Sequence, residues 1–111
     1  MEQDIKKLTD WLNTHLDKTI IVQKREQDDI DQVHFKLSQF EVRQRDEGID
    51  GYLDNAIVLK GSGSTMNSDG DLVPLPQDTY DIVTTDLKIT DLEFEEIEIS
   101  TTRAKYIISL E

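Results

Sequence analysis

The fifteen residues from Leu87 to Thr101, LKITDLEFEEIEIST, constrain the fold of this chain more than any other stretch. They repeat an apolar-x-apolar-x-x unit three times, with Leu87/Ile89, Leu92/Phe94 and Ile97/Ile99 as the apolar pairs. A five-residue step fits neither the helical period nor the strand period. A coil of stacked five-residue turns wants small residues where this chain has Leu87, Leu92 and Ile97. The pattern therefore reads as strands with a bulge or turn at Thr90-Asp91 and again at Glu95-Glu96, each adding one residue and bending the sheet. The same unit recurs from Phe35 to Val42. After Arg103, the alternation of Ala104, Tyr106, Ile108 and Leu110 predicts a last strand with one buried face.

Only the N-terminus carries a clear helical stripe. Ile5, Leu8, Leu12 and Leu16 recur at three-and-four spacing, with Trp11 and His15 beside them, which predicts a helix over residues 3–17. Glu2 and Asp4 in its first turn and Lys18 at its end suit the helix dipole. The β-branched run Thr19-Ile20-Ile21-Val22 then stops the helix and starts a strand. Residues 30–42 can be read two ways. A helical stripe through Ile30, Val33, Leu37 and Phe40 strands Phe35 and Val42, whereas alternation with a one-residue shift at Ser38-Gln39 strands only Ile30. The strand with a bulge is the better fit.

The acid- and glycine-rich stretch 46–51 predicts a turn. Residues 52–60 predict a strand centred on Ala56-Ile57-Val58-Leu59. Residues 61–71, GSGSTMNSDGD, read as a mobile loop. Pro74 and Pro76 permit at most an edge strand beside them. The expected fold is α+β, a single domain over residues 1–111: one N-terminal helix on a bent antiparallel sheet of about five strands. Core candidates are Leu8, Leu12, Leu16, Ile20, Val22, Phe35, Leu37, Ile57, Leu59, Ile82, Phe94, Ile97, Tyr106 and Ile108.

Charge bears on function more than any motif does. The chain carries 24 acids against 12 bases. Residues 1–45 hold nine acids and eight bases, so almost the whole net charge of −12 lies in the second part. Residues 81–98 set seven acids against Lys88 alone. Such a field repels nucleic-acid backbones and anionic membranes and attracts cationic proteins. Acidic surfaces also serve solubility alone. No run of about 18 apolar residues occurs, and the N-terminus lacks an apolar signal region, so a cytoplasmic location is expected.

Chemistry-bearing constellations are sparse. Cysteine is absent, which excludes disulfides, thiol nucleophiles and thiolate metal sites. Aligning Gly70 with the glycine of a calcium-binding loop puts Thr65 and Pro76 at the two end positions, where ligands are required. Gly61-Ser62-Gly63-Ser64 lacks the lysine and helix start of a phosphate cradle. His15 lies beside a helical apolar stripe, where a satisfied or half-exposed ring is usual, and His34 alternates to the outer side of its strand. No nucleophile elbow is present. No catalytic, metal or cofactor-binding residues are expected.

The acidic stripe Asp91, Glu93, Glu95, Glu96 and Glu98 is the expected contact surface for a basic protein partner, as an inhibitor, immunity or DNA-mimic protein would use it. Clustered like charges are unfavourable until a cation relieves them. The alternative is a small accessory subunit of a larger, phage-like assembly that pairs through an exposed sheet edge. An enzyme or ligand binder with a pocket between helix and sheet is a third class.

Overall fold

A computed structural model describes residues 2–43, 55–66 and 69–111. Helix α1 (Glu2–Thr14) is followed, among the described residues, by eight strands. These are β1 (Thr19–Glu26), β2 (Asp29–Arg43), β3 (Ala56–Met66), β4 (Leu72–Pro74), β5 (Thr79–Val83), β6 (Lys88–Leu92), β7 (Glu96–Ser100) and β8 (Lys105–Leu110). The architecture is α+β with an N-terminal helix and an antiparallel sheet, as the patterning predicts. The strand count of eight corrects the expected five or so. The additional strands are short: β4 has three residues and β5 five, too few for alternation to stand out.

Helix α1 ends earlier than residue 17. The Thr14 hydroxyl donates back to the Asp10 carbonyl, and the His15 and Lys18 amides close tight turns on Leu12 and His15. Asp17 takes the left-handed conformation at φ 65° that reverses the chain. Lys18 therefore lies beyond the last turn and does not oppose the helix dipole there. From this corner the Asp17 amide donates to the Leu37 carbonyl at 2.7 Å, and the Leu37 amide to the Lys18 carbonyl at 3.0 Å. The helix is thereby pinned to β2.

Along the sheet the strands run β4-β3-β2-β1-β8-β7-β6, with β5 also on β3. Strand β3 takes β5 along Ala56–Lys60 and β4 along Ser64–Met66, so both share its outer edge. The shift expected at Ser38-Gln39 is present as a register break between Leu37 and Gln39. Strand β6 breaks likewise between Ile89 and Asp91. The break lets Ile89 face Ile99 and Leu92 face Ile97, so both β6 side chains turn to the apolar side of the sheet. Pro74 closes an edge strand, consistent with its missing donor.

The expected loop over residues 61–71 is corrected in its first half, because β3 continues to Met66. Its glycines are there for close packing. A Cβ on Gly61 would meet the Lys36 carbonyl oxygen at 1.9 Å, and one on Gly63 would meet Leu75 and Phe35 side-chain carbons at 2.6 and 2.7 Å. The turn expected at 46–51, the first residues of the strand expected at 52–60, and residues 67–68 of the expected loop lie outside the described residues.

The core lies between α1 and one face of the sheet. Leu8, Trp11 and Leu12 pack against Ile20, Val22, Phe35, Leu37, Ile57, Leu59, Ile82, Ile97, Tyr106 and Ile108. Val33, Leu87, Ile99 and Ala104 join them. Two expected core residues differ: Leu16 is only partly buried, and Phe94 is 64% exposed. Phe94 sits in the turn between β6 and β7, past the last rung of their ladder, so no neighbouring strand covers it. Among the described residues no helix is long and apolar enough to cross a membrane.

Candidate functional site

The β6–β7 turn, residues 93–95, is held from three directions. The Glu93 amide donates to the Glu96 carbonyl at 2.8 Å, closing the hairpin. The Leu110 amide donates to the Glu95 carbonyl at 2.9 Å, tying the turn to the end of β8. The Trp11 indole Nε1 donates to the Glu93 carbonyl at 2.9 Å, tying it to α1. A turn fixed this way loses little backbone entropy when something binds.

The side chains of the hairpin include three carboxylates. Oxygens of Asp91, Glu93 and Glu96 lie within 4.8 Å of one another. At that spacing the charges repel, and a cation among them is favoured. The stripe expected from the sequence thus divides. Asp91, Glu93 and Glu96 converge, whereas Glu95 is exposed apart from that trio. Glu98 accepts from Lys105 Nζ at 2.6 Å across the outer face. That bond holds the Glu98 carboxyl below the usual range, against the opposing effect of its desolvation. Asp91 stands directly opposite Glu98 in the ladder, so Lys105 also relieves a cross-strand repulsion.

On the other face of the hairpin from the trio lies a groove between α1 and the turn. It encloses about 260 Å³ and is lined by Lys7, Asp10, Trp11, Thr14, His15, Leu92 and Phe94. Leu92, 47% exposed, and Phe94 leave an apolar surface open on it. The Trp11 and His15 rings stack with centroids 4.0 Å apart, and Phe94 meets His15 at 5.1 Å in a tilted arrangement. His15 differs from the satisfied or half-exposed ring expected: it is 1% exposed, and no partner meets its Nε2 among the described residues. His34 lies toward the outer side as expected, with Nδ1 2.8 Å from Glu111.

The groove residues were only partly legible. Trp11 and His15 are four positions apart on the flank of the helical stripe, which marks a second, aromatic face of α1. The signal for Phe94 was its place between Glu93 and Glu95-Glu96, in a segment that also reads as a turn. A carboxylate trio can hold an ammonium or guanidinium group of a segment that wraps the hairpin, while Leu92 and Phe94 on its other face offer apolar contact to the attached carbon chains. Two of the three carboxylates are exposed and the third is half-buried.

The YmzB-like protein family matches residues 1–111. The chain is 30% identical over 110 residues to the uncharacterized protein YmzB of Bacillus subtilis (strain 168), covering 94% of this chain and 92% of that protein. No solved structure matches. The chain belongs to the YmzB-like family.

Proposed function

We propose that this member of the YmzB-like family is a non-enzymatic, cytoplasmic binding domain that captures a basic segment of a protein partner at the β6–β7 turn. The observation that carries this reading is the convergence of the Asp91, Glu93 and Glu96 carboxylates within 4.8 Å on a hairpin that also exposes Leu92 and Phe94 on its other face. Charge supplies steering and rate, and the apolar side chains supply contact area that persists once charges are screened. The three hydrogen bonds on the turn support it further, since they fix the backbone that carries the trio before a partner arrives.

The edge-pairing alternative has less behind it. Strand β4 ends in Pro74, and β6 carries Lys88 and Asp91 on a five-residue edge. Short, charged or proline-bearing edges resist pairing with another strand.

Capture from a host lysate tests the proposal when three forms are compared at low and high salt. These are the unaltered chain, the triple reversal Asp91→Lys, Glu93→Lys, Glu96→Lys, and a control reversal of equal charge, Asp28→Lys, Asp29→Lys, Asp78→Lys. The expected result is a basic protein retained by the unaltered chain and the control and lost by the turn reversal, with retention weakening as salt rises. Equal retention by all three forms, or equal loss from both reversals, overturns the proposal.

A further inference from the structure

One polar atom in the groove is left unmatched by the fold. The His15 Nδ1 lies 2.6 Å from the Trp11 carbonyl oxygen. A carbonyl only accepts, so Nδ1 carries the hydrogen and donates. In the neutral ring Nε2 is then a lone-pair acceptor. It is buried, and no group among the described residues donates to it. Buried acceptors are nearly always paired, so an unpaired one in the wall of a groove points to a donor that arrives from outside.

The surroundings narrow the identity of that donor. Two aromatic rings meet the imidazole, Trp11 stacked at 4.0 Å and Phe94 tilted at 5.1 Å. Asp10 adds a carboxylate in the groove, and Asp91 and Glu93, on the opposite face of the β6–β7 hairpin, add to the negative field around it without lining it. Lys7 is also there, three residues before Asp10 on the same helix, where the two charges offset. The fitting group is flat, cationic, rich in N–H donors and compatible with aromatic faces. A guanidinium meets all four conditions. An ammonium is compact, strongly hydrated and less suited to stacking.

We infer that the groove is the socket for an arginine side chain of the basic partner, its guanidinium donating to His15 Nε2 and lying against the exposed Phe94 ring. This rests on the partner reading above and adds a residue-level specificity to it. Phe94, 64% exposed, has few neighbours to hold its ring. Entry of the guanidinium requires this ring to turn aside from His15. About 260 Å³ accommodates one long side chain.

The test titrates the full chain with hexa-arginine and with hexa-lysine at low salt while following the His15 Nε2 nitrogen resonance. The expected result is about tenfold tighter binding of hexa-arginine, the value of one hydrogen bond to a charged group, with a shifted Nε2 resonance only for that peptide. His15→Phe keeps an aromatic ring in the stack and removes the acceptor, so it brings the two peptides to equal affinity. Should that variant not fold, the resonance in the unaltered chain decides alone. Equal binding of both peptides overturns the arginine socket while leaving the acidic partner surface standing. Tighter arginine binding with an unmoved Nε2 resonance overturns it too. If neither peptide binds, the partner surface and the socket fall together.

Discussion

The Trp11 indole donates to the Glu93 carbonyl across 82 positions of sequence, and this 2.9 Å bond joins the one helix to the turn that carries the acidic trio. Trp11 is buried against the core on one side and stacks on His15 on the other. Its ring therefore couples core, groove and turn. Replacing it by phenylalanine keeps an aromatic ring but deletes the donor and part of the packed area. Trp11→Phe is expected to lower stability by about 1–3 kcal/mol. Denaturant midpoints measure this, with an unchanged slope indicating that the native state stays compact. The same variant should speed amide exchange at Glu93, whose hydrogen bond to Glu96 closes the turn. A stable variant with unchanged exchange would show that the bond does not hold the turn.

The glycines of β3 make a second test. Gly61 sits where β2 breaks register, and its Cα lies so close to Lys36 that an added Cβ would reach the carbonyl oxygen at 1.9 Å. Backbone cannot yield there as a side-chain tip can. Gly63 faces side-chain atoms of Leu75 and Phe35 instead, and these have some freedom to shift. Gly61→Ala should therefore be the more damaging of the two. Gly63→Ala should cost about 1–3 kcal/mol, the range for overpacking, and Gly70→Ala, with open space around it, less than Gly61→Ala despite its positive φ. Thermal unfolding of the three variants gives the order directly. Equal losses at 61 and 70 would refute the close-approach explanation.

These glycines also show where sequence reasoning succeeds and where it stops. The helix, the bulge after Leu37 and the bulge after Ile89 were readable because each shifts a local apolar period. Such a period is a property of consecutive residues. The GSGS segment carries no side-chain period, and its composition suits a loop as well as a strand. What makes it a strand is the approach of Lys36 and Phe35 from β2, a relationship between distant residues. Phe94 fails for a related reason: its repeat matches those of Leu87 and Ile97, but the next strand does not extend to cover it. The acidic stripe was legible as charge. Which of its members converge, and which one Lys105 takes, depended on register.

Two tyrosines set the alkaline limit. Burial pushes the Tyr80 hydroxyl well above its ordinary 10.0, and the neighbouring Tyr106 and Asp31 push it the same way. Burial raises Tyr106 also, with Glu26 adding to the effect and Arg103 opposing it. A group that ionises later in the folded state than in the unfolded one contributes nothing adverse below its unfolded value. As pH rises above about 10, the unfolded chain releases its protons first and folding loses ground. Tyrosinate absorbance from these two residues should therefore appear together with loss of far-ultraviolet structure. Tyr80→Phe should move alkaline unfolding to higher pH. Tyrosinate forming at the ordinary value in a chain that remains folded would contradict the burial of both hydroxyls.

The acid side turns on Glu98. Its carboxyl is held below the ordinary 4.5, first by the bond from Lys105 and despite desolvation, so it ionises more readily folded than unfolded. For a depressed carboxyl the sign runs opposite to the tyrosines. Its contribution is complete above the unfolded value and is lost as pH falls below 4.5 through the folded one. Lys105→Met removes the partner and keeps an unbranched side chain on β8. The stability difference between the unaltered chain and this variant should be level near neutrality and shrink as pH falls below 4.5. It should also shrink with salt, since Glu98 and Lys105 are both reached by solvent. The variant bears on binding as well. Freed from Lys105, Glu98 stands opposite Asp91 as a second uncompensated carboxylate. Capture of a basic partner should then strengthen at low salt, so the ion pair moderates the acidic surface as well as tying β7 to β8. A pH-independent difference, or capture unchanged by the variant, would restrict Lys105 to solubility.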